Sequence, residues 1–302
     1  MSVAAPAPSP AAAERAEAPD HPKTRRRSAA RAGASAPMLI LGGSLVLIVL
    51  VLATVGPALS PYDPIAMAPS QRLLPPGSPG HLLGTDQVGR DELTRLMDGA
   101  RQTLLIGAAP VLLSLLVGST LGLLAGFYGR WADHLIMRGV DILFAFPAIL
   151  LAIAIVAALG PGIGNTILAI SIVEIPTVAR IVRAPVLALR EEEFVQAARV
   201  IGASDGRIIV RHIGRNLTSP LIVFASVEMG SMVIFGAGLS FLGLGAQAPQ
   251  AEWGLMMAEG RDVLAVAPHV ATLPGLAILL VVLGLSFLGD GLRDWLDPRS
   301  GS

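Results

Sequence analysis

Few residues in this sequence have the type and spacing that catalysis would need. The chain has no cysteine, which excludes disulfides, thiol chemistry, iron–sulfur clusters and cysteine-linked lipids. No nucleotide-binding Gly-x-x-x-x-Gly-Lys-Ser/Thr loop occurs, and Lys23 is the only lysine. The five histidines have no pair at metal-ligand spacing: His21, His81, His134, His212 and His269. The sequence therefore predicts no catalytic residue, no metal site, no cofactor and no ATP hydrolysis by this chain itself.

Three acids stand inside long apolar runs: Asp141, Glu174 and Glu228. A charge in a bilayer costs at least ~2.5 kcal/mol on insertion scales, so such acids normally face a polar pathway or a partner. One interpretation is a translocation pathway that favours positive groups, such as a peptide ammonium or a cation. The other is an internal hydrogen-bonded acid that ties helices together. For Asp141, an interfacial ion pair with Arg138 is favoured over the pathway.

The elements that must position these acids are six apolar runs, each near the ~20 residues that one membrane crossing needs. They lie at about 37–59, 102–127, 139–160, 164–183, 217–245 and 268–289. Hydrophobic residues make up 53% of the 302, more than a soluble core of this size would use. A formal net charge of zero argues against a nucleic-acid partner. The sequence predicts an all-α integral membrane protein with six transmembrane helices.

The first 36 residues have a different composition from the rest of the chain. They are rich in Ala, Pro and Arg, with too few large apolar side chains to fold alone, which predicts a disordered tail at 1–36. The run at 37–59 exceeds the 7–15 residues of a signal-peptide core, so a spanning helix is favoured over a cleaved signal. A first helix with an extracytoplasmic segment (37–100), a transmembrane domain (101–295) and a short cytoplasmic tail (296–302) complete the predicted organisation.

The basic residues predict the orientation of the six helices. With the N-terminal tail inside, 17 of the 22 Lys and Arg residues fall in cytoplasmic segments and five in outer segments. Cytoplasmic loops of membrane proteins carry such an excess of positive charge. Both termini are therefore predicted to be cytoplasmic.

The longest cytoplasmic connection, about 184–216, contains a predicted pair of short helices. The first is expected to run through Arg199 and to stop at Gly202, a residue suited to the left-handed turn after a helix. Ser204 is expected to cap the second, with Asp205 in its first turn favoured by the helix dipole.

The second short helix has apolar side chains at Ile208, Ile209 and Ile213, with Arg207 and Arg211 on its polar face. Because no membrane is available to bury the isoleucines, the helix is predicted to need a protein partner. The alternative is an amphipathic loop that rests on the membrane surface.

The segment Gln196-Ala197-Ala198 followed by Gly202 resembles the Glu-Ala-Ala-x-x-x-Gly signature of ABC importer permeases, with Gln in place of the usual Glu. In that family the loop forms a coupling helix that docks into a groove of a cytoplasmic ATPase. The resemblance implies a set of ATPase-coupling residues: Gln196, Ala197, Ala198, Gly202, Ser204, Asp205, Arg207, Ile208 and Ile209.

The resemblance covers nearly everything from residue 61 to residue 299. Segments similar to the dipeptide, oligopeptide and nickel importer group, and in particular to its C-type permease subunit, lie at 84–91, 99–101, 239–245, 253–254, 289–294 and 296–299. The resemblance implies the fold of a type I ABC importer permease with one extra N-terminal helix, in the plasma (inner) membrane of a bacterium.

The same resemblance implies the partners and the substrate. The partners would be a homologous second permease in a heterodimer, two cytoplasmic ABC ATPases, an extracytoplasmic substrate-binding protein and the lipid bilayer. The expected substrate is a dipeptide or oligopeptide, and the alternatives are nickel or glutathione. An ATPase-independent secondary transporter is the alternative from a different class, and it would show coupling-ion sites at broken helices.

Overall fold

The computed structural model describes residues 22–296, and only the backbone for residues 22–36. The helices are α1 (Pro22–Leu59), α2 (Glu92–Tyr128), α3 (Arg130–Phe144), α4 (Ala148–Leu159), α5 (Ile163–Leu189), α6 (Glu193–Val200), α7 (Asp205–Arg207), α8 (Arg215–Phe241), α9 (Trp253–Arg261) and α10 (His269–Leu296). A π-helical segment, Ile208–Gly214, joins α7 to α8, and a 3₁₀ turn occupies Pro69–Gln71. No strand is found in this part of the chain, which confirms the all-α membrane fold.

Four helices are long and apolar enough to cross a membrane: Pro37–Leu59, Glu92–Tyr128, Asp205–Phe241 and His269–Leu296. A fifth crossing results if the bent pair α3 and α4 is counted as one span. The remaining predicted span, 164–183, lies inside α5, whose 27 residues reach about 40 Å at 1.5 Å per residue. The count of six crossings stays a prediction.

The structure differs from two of the predicted elements in the described part of the chain. The span at 139–160 is two helices bent by 86°, because Pro147 has no N–H and disfavours helical geometry at the residue before it. Helix α1 begins at Pro22, inside the tail that was predicted to be disordered. Residues 1–21 and 297–302 of the two predicted tails lie outside the described residues.

Helices α2 and α5 form the most extensive helix contact in the described residues, and three glycines spaced four apart lie in it. Gly118, Gly122 and Gly126 of α2 lie against Val178, Val182 and Val186 of α5. A Cβ atom on Gly122 would lie 2.5 Å from the backbone oxygen of Ala179. Small residues at this spacing let helix backbones approach closely in a membrane, where packing rather than apolar burial drives helix association.

The segment between α1 and α2, which is predicted to lie outside and is called the outer segment below, is held in place by a buried ion cluster. Asp86 pairs with Arg90 (Oδ2 to Nε, 2.5 Å), and Arg90 pairs with Glu259 of α9 (Nη2 to Oε2, 2.8 Å). Arg95 of α2 is 1% exposed and also pairs with Glu259, at 3.2 Å. Because each guanidinium meets two carboxylates, the outer segment, α2 and α9 are joined as one unit.

The outer segment also contains the hydrogen-bond partners of two histidines. His81 is buried and its Nδ1 lies 2.8 Å from Asp91 Oδ1, while the other carboxylate oxygen of Asp91 accepts from Thr94 N and caps α2. His269 is nearly buried and its Nε2 lies 3.3 Å from the carbonyl oxygen of Thr85. Both histidines thus have hydrogen-bond partners within the chain, and no group of three or more His, Asp or Glu residues in the described part could hold a metal ion.

Candidate functional site: the cytoplasmic loop and the intramembrane acids

The turn after α6 has the geometry that the sequence predicts. Gly202 adopts φ +80°, its N–H donates to Arg199 O at 3.0 Å, and Ala203 N–H donates to Ala198 O at 3.0 Å. This pair of bonds is the Schellman arrangement, which satisfies the last carbonyls of a helix and favours glycine at the left-handed position. The turn at Gly202 therefore ends α6 and separates it from α7.

The predicted cap at Ser204 is only partly correct. Ser204 occupies the N-cap position of α7 with extended backbone angles, but its side chain makes no capping hydrogen bond. The backbone carbonyl of Ser204 instead accepts from Ile208 N at 3.0 Å. Ser204, Asp205 and Arg207 are exposed, so their side chains are available to a partner.

The chain itself buries the isoleucines, so the expectation that only a protein partner could cover them is wrong. Ile208 and Ile213 are fully buried and Ile209 is 8% exposed. They pack in one cluster with Phe127 of α2, with Val195 of α6 and with the valines of α5. The prediction failed because α2 and α5 provide an apolar surface for the loop at the level where only solvent was expected.

Other apolar side chains of the loop are exposed instead. Val200 is 87% exposed, Ile201 is 82% exposed and Val210 is 74% exposed. Val200 and Ile201 directly precede the turn at Gly202, and Val210 lies in the π-helical segment. Because this segment is predicted to lie outside the membrane, large apolar side chains with this exposure favour a surface that another molecule covers. We call these three residues the exposed loop patch.

The three signature residues have different environments. Gln196 and Ala197 are exposed, and the Gln196 side-chain amide donates to Arg190 O at 3.2 Å within the loop. Ala198 is 4% exposed and belongs to the buried cluster. The exposed members can contact a partner, whereas Ala198, like Ile208 and Ile209, positions the loop from within.

The intramembrane acids divide into a pair and a single residue. Glu174 of α5 is 8% exposed, one of its carboxylate oxygens has no hydrogen-bond partner, and it lies close enough to Glu228 of α8 for the two to interact electrostatically. Glu228 is half-buried. Two acids on neighbouring helices, one of them with a buried unpartnered oxygen, favour a locally electronegative place in the bundle.

Asp141 has a different partner from the one predicted. Its Oδ1 lies 2.7 Å from Arg180 Nη2 of α5, rather than pairing with Arg138 on its own helix. The Arg180 guanidinium also lies 4.0 Å from the centre of the Phe144 ring. An ion pair between helices is therefore the role of Asp141 in this structure. The distance between α3 and α5 could not be read from the sequence.

Several features of the site were missed at the sequence level. The Gly118, Gly122 and Gly126 spacing was a readable signal for close helix packing. The short helix α9 had a weaker signal in Glu252, whose side chain accepts from Gly254 N and Leu255 N. The ion cluster of the outer segment joins residues far apart in the chain, so no local pattern could reveal it.

A bundle of long helices with an apolar exterior, a structured segment between α1 and α2 and an exposed loop after α5 is the architecture of a polytopic membrane protein. The model of the "Binding-protein-dependent transport system inner membrane component" family matches residues 118–302. The chain belongs to this family of inner-membrane transport components.

Three relatives are similar to this protein over most of its length. It is 48% identical to the "Dipeptide transport system permease protein DppC" of Alkalihalophilus pseudofirmus, covering 88% of this chain and 87% of the relative. It is 46% identical to the "Glutathione transport system permease protein GsiD" of Pectobacterium atrosepticum, covering 86% of each. It is 43% identical to the "Probable D,D-dipeptide transport system permease protein DdpC" of Escherichia coli, covering 88% and 89%.

A solved structure supports the fold. A chain of the MetNI methionine ABC transporter, in an inward-facing conformation, superposes with a TM-score of 0.54 at 19% sequence identity. The match covers 67% of this chain and 96% of that one. The fold is therefore that of an ABC importer permease, as the resemblance implied.

Proposed function

We propose that this chain forms part of the translocation pathway of an ATP-driven importer of short peptides. It pairs with a related second permease, two cytoplasmic ABC ATPases bind the loop that contains α6 and α7, and an extracytoplasmic binding protein delivers the substrate. ATP binding closes the ATPases, moves the loops and opens the pathway to one side and then the other. The observation that carries the proposal is the exposed loop patch beside the Gly202 turn.

The relatives narrow the substrate to peptide-like molecules. Two of the three relatives above are named for dipeptides and one for glutathione. Glutathione import is therefore the second candidate function. Nickel import has no support among these relatives.

Co-purification tests the proposed assembly. A tagged copy of this chain, extracted in mild detergent from cells that express its transport operon, should carry ATPase subunits and the second permease. A tagged chain that purifies without any ATPase, under conditions where it remains folded, would exclude the ABC importer and favour the secondary transporter.

We expect both termini to be cytoplasmic, because 17 of the 22 basic residues lie on that side of the proposed topology. A green fluorescent protein fused after Ser302 should fluoresce, and alkaline phosphatase at the same position should be inactive. Alkaline phosphatase fused at residue 80, in the outer segment, is the matched control and should be active. The reverse pattern would refute the orientation.

We expect Glu174→Gln combined with Glu228→Gln to reduce uptake of cationic peptides by about tenfold and uptake of anionic peptides much less, because the pair makes the pathway electronegative. The measurement is initial uptake of peptides that differ only in charge, at equal levels of assembled complex. Equal loss for both charges would assign the two acids to helix packing. Asp262→Asn is the control, since Asp262 is an exposed acid outside the predicted spans.

A further inference from the structure

Two ion pairs attach helix α3 to α5. On its N-terminal turn, Asp133 accepts from Arg183 of α5 with both oxygens (Nε to Oδ1, 2.5 Å; Nη2 to Oδ2, 2.6 Å). Eight residues further on, the Asp141 and Arg180 pair makes a second link to α5. Bidentate guanidinium and carboxylate pairs are the most geometrically specific of ion pairs, so α5 determines where α3 lies.

A third contact holds the junction between α2 and α3. This junction is one residue, Gly129, with φ +62° and ψ −159°. Arg190 Nη1 donates to the carbonyl oxygen of Gly126 at 3.0 Å, and a Cβ on Gly129 would lie 2.5 Å from the same nitrogen. The Arg190 guanidinium therefore fills the space that a side chain at position 129 would occupy.

Arg190 lies at the boundary between α5 and the loop that contains α6. It is the C-cap residue of α5, and α6 begins three residues later at Glu193. Its carbonyl oxygen accepts from the Gln196 side chain, so its backbone belongs to the cytoplasmic loop while its side chain belongs to the junction at Gly129. A displacement of the loop must therefore move the Arg190 guanidinium or break its contact with Gly126.

At its other end, α3 meets α4 at the 86° bend. The bend carries several large exposed apolar side chains: Phe144, Phe146, Ile149 and Leu150. Between α3 and α5, a cavity of about 330 Å³ is lined by charged side chains that include Asp133, Arg138 and Arg183. Helix α3 thus has a cavity beside it, a bend at one end and a glycine junction at the other. This arrangement would let it move as a rigid body about its two ends.

We propose that Arg190, Arg183 and Asp133 are positioning residues that transmit the movement of the cytoplasmic loop through α3 to the bend between α3 and α4. This inference rests on the proposed function, because the movement of the loop comes from the ATPases. Arg190 shifts the Gly129 junction when the loop moves, and the Asp133 and Arg183 pair keeps α3 aligned with α5. The bend then opens or closes the cytoplasmic side of the pathway.

Charge reversal tests the proposal with the complete complex in proteoliposomes. Asp133→Arg and Arg183→Asp should each lower the amount of peptide transported per ATP hydrolysed by about tenfold, within the range of ordinary coupling between sites. ATPase subunits should still co-purify, because neither residue belongs to the exposed loop patch. The double variant, with the charges exchanged, should recover to within about threefold of the original complex. Arg261→Asp with Asp262→Arg, an exposed outer pair, is the matched control and should change nothing.

Arg190→Gln introduces no opposite charge and removes the contact with Gly126. It is the second test of the proposal and applies even if a charge-reversal variant fails to assemble. It should hydrolyse ATP with little stimulation by loaded binding protein while retaining its ATPases. Normal transport per ATP in Arg190→Gln, or no recovery in an assembled double variant, would overturn the inference. An original complex without ATPases would instead refute the proposed function, so the two failures are distinguishable.

Discussion

Ile201→Asp should weaken association of the ATPase subunits by at least roughly 30-fold and abolish substrate-stimulated ATP hydrolysis. Ile201 is 82% exposed next to the Gly202 turn, so in the complex its side chain is expected to enter an apolar pocket of the partner. A carboxylate there would be desolvated without a counter-charge. The measurement is the molar ratio of ATPase to permease after purification, together with hydrolysis in the presence of loaded binding protein.

Two matched variants separate this effect from misfolding. Ile209→Asp places the same carboxylate in the buried cluster, so it should lower the yield of folded permease rather than the ATPase ratio of what remains. Leu82→Asp changes a side chain of similar exposure on the outer segment and should leave ATPase association unchanged. A normal ATPase ratio for folded Ile201→Asp would mean that the exposed loop patch is not the docking surface.

Gly122→Ala should destabilise the permease and lower its melting temperature in detergent by at least about 3 °C. The new Cβ would lie 2.5 Å from the backbone oxygen of Ala179 and 2.8 Å from Val182 Cβ, so α2 and α5 must move apart. Overpacking of this kind typically costs about 1–3 kcal/mol. Val182 and Val186 of the same contact also pack against the loop isoleucines, so the amount of peptide transported per ATP hydrolysed should fall as well.

Gly139→Ala is the matched control for Gly122→Ala. Gly139 is also helical, but a Cβ at this position would meet nothing within 4 Å. Alanine favours a helix over glycine by about 1 kcal/mol, so this variant should be neutral or slightly stabilised. Opposite signs for the two variants would establish close packing of α2 on α5, whereas a stabilised Gly122→Ala would show that this packing is looser than the structure has it.

The sequence predicted those features that depend on local pattern. Apolar runs near 20 residues identified the membrane class, and Gly202 was correctly predicted as the left-handed residue after a short helix because only the neighbouring backbone matters there. The bend at Pro147 had a readable signal in the proline itself. It was missed because membrane helices often tolerate proline when neighbours satisfy the freed carbonyl.

The candidate site was only partly predictable, because exposure depends on tertiary packing. Ile208, Ile209, Val210 and Ile201 have similar side chains, yet the first two are buried and the last two are exposed. The π-helical segment Ile208–Gly214 changes which residues share a face, so an ordinary helical wheel fails there. Pairing of Asp141 with Arg180 rather than Arg138 has the same cause, since it depends on where α5 lies.

The most direct test of the proposed function is peptide accumulation in proteoliposomes that contain this chain, the second permease and both ATPases, with binding protein on the outer side. The proposed function predicts accumulation of a short peptide that requires ATP on the ATPase side and stops when the ATPases are omitted. Accumulation driven by an ion gradient, with neither ATP nor ATPases present, would contradict it.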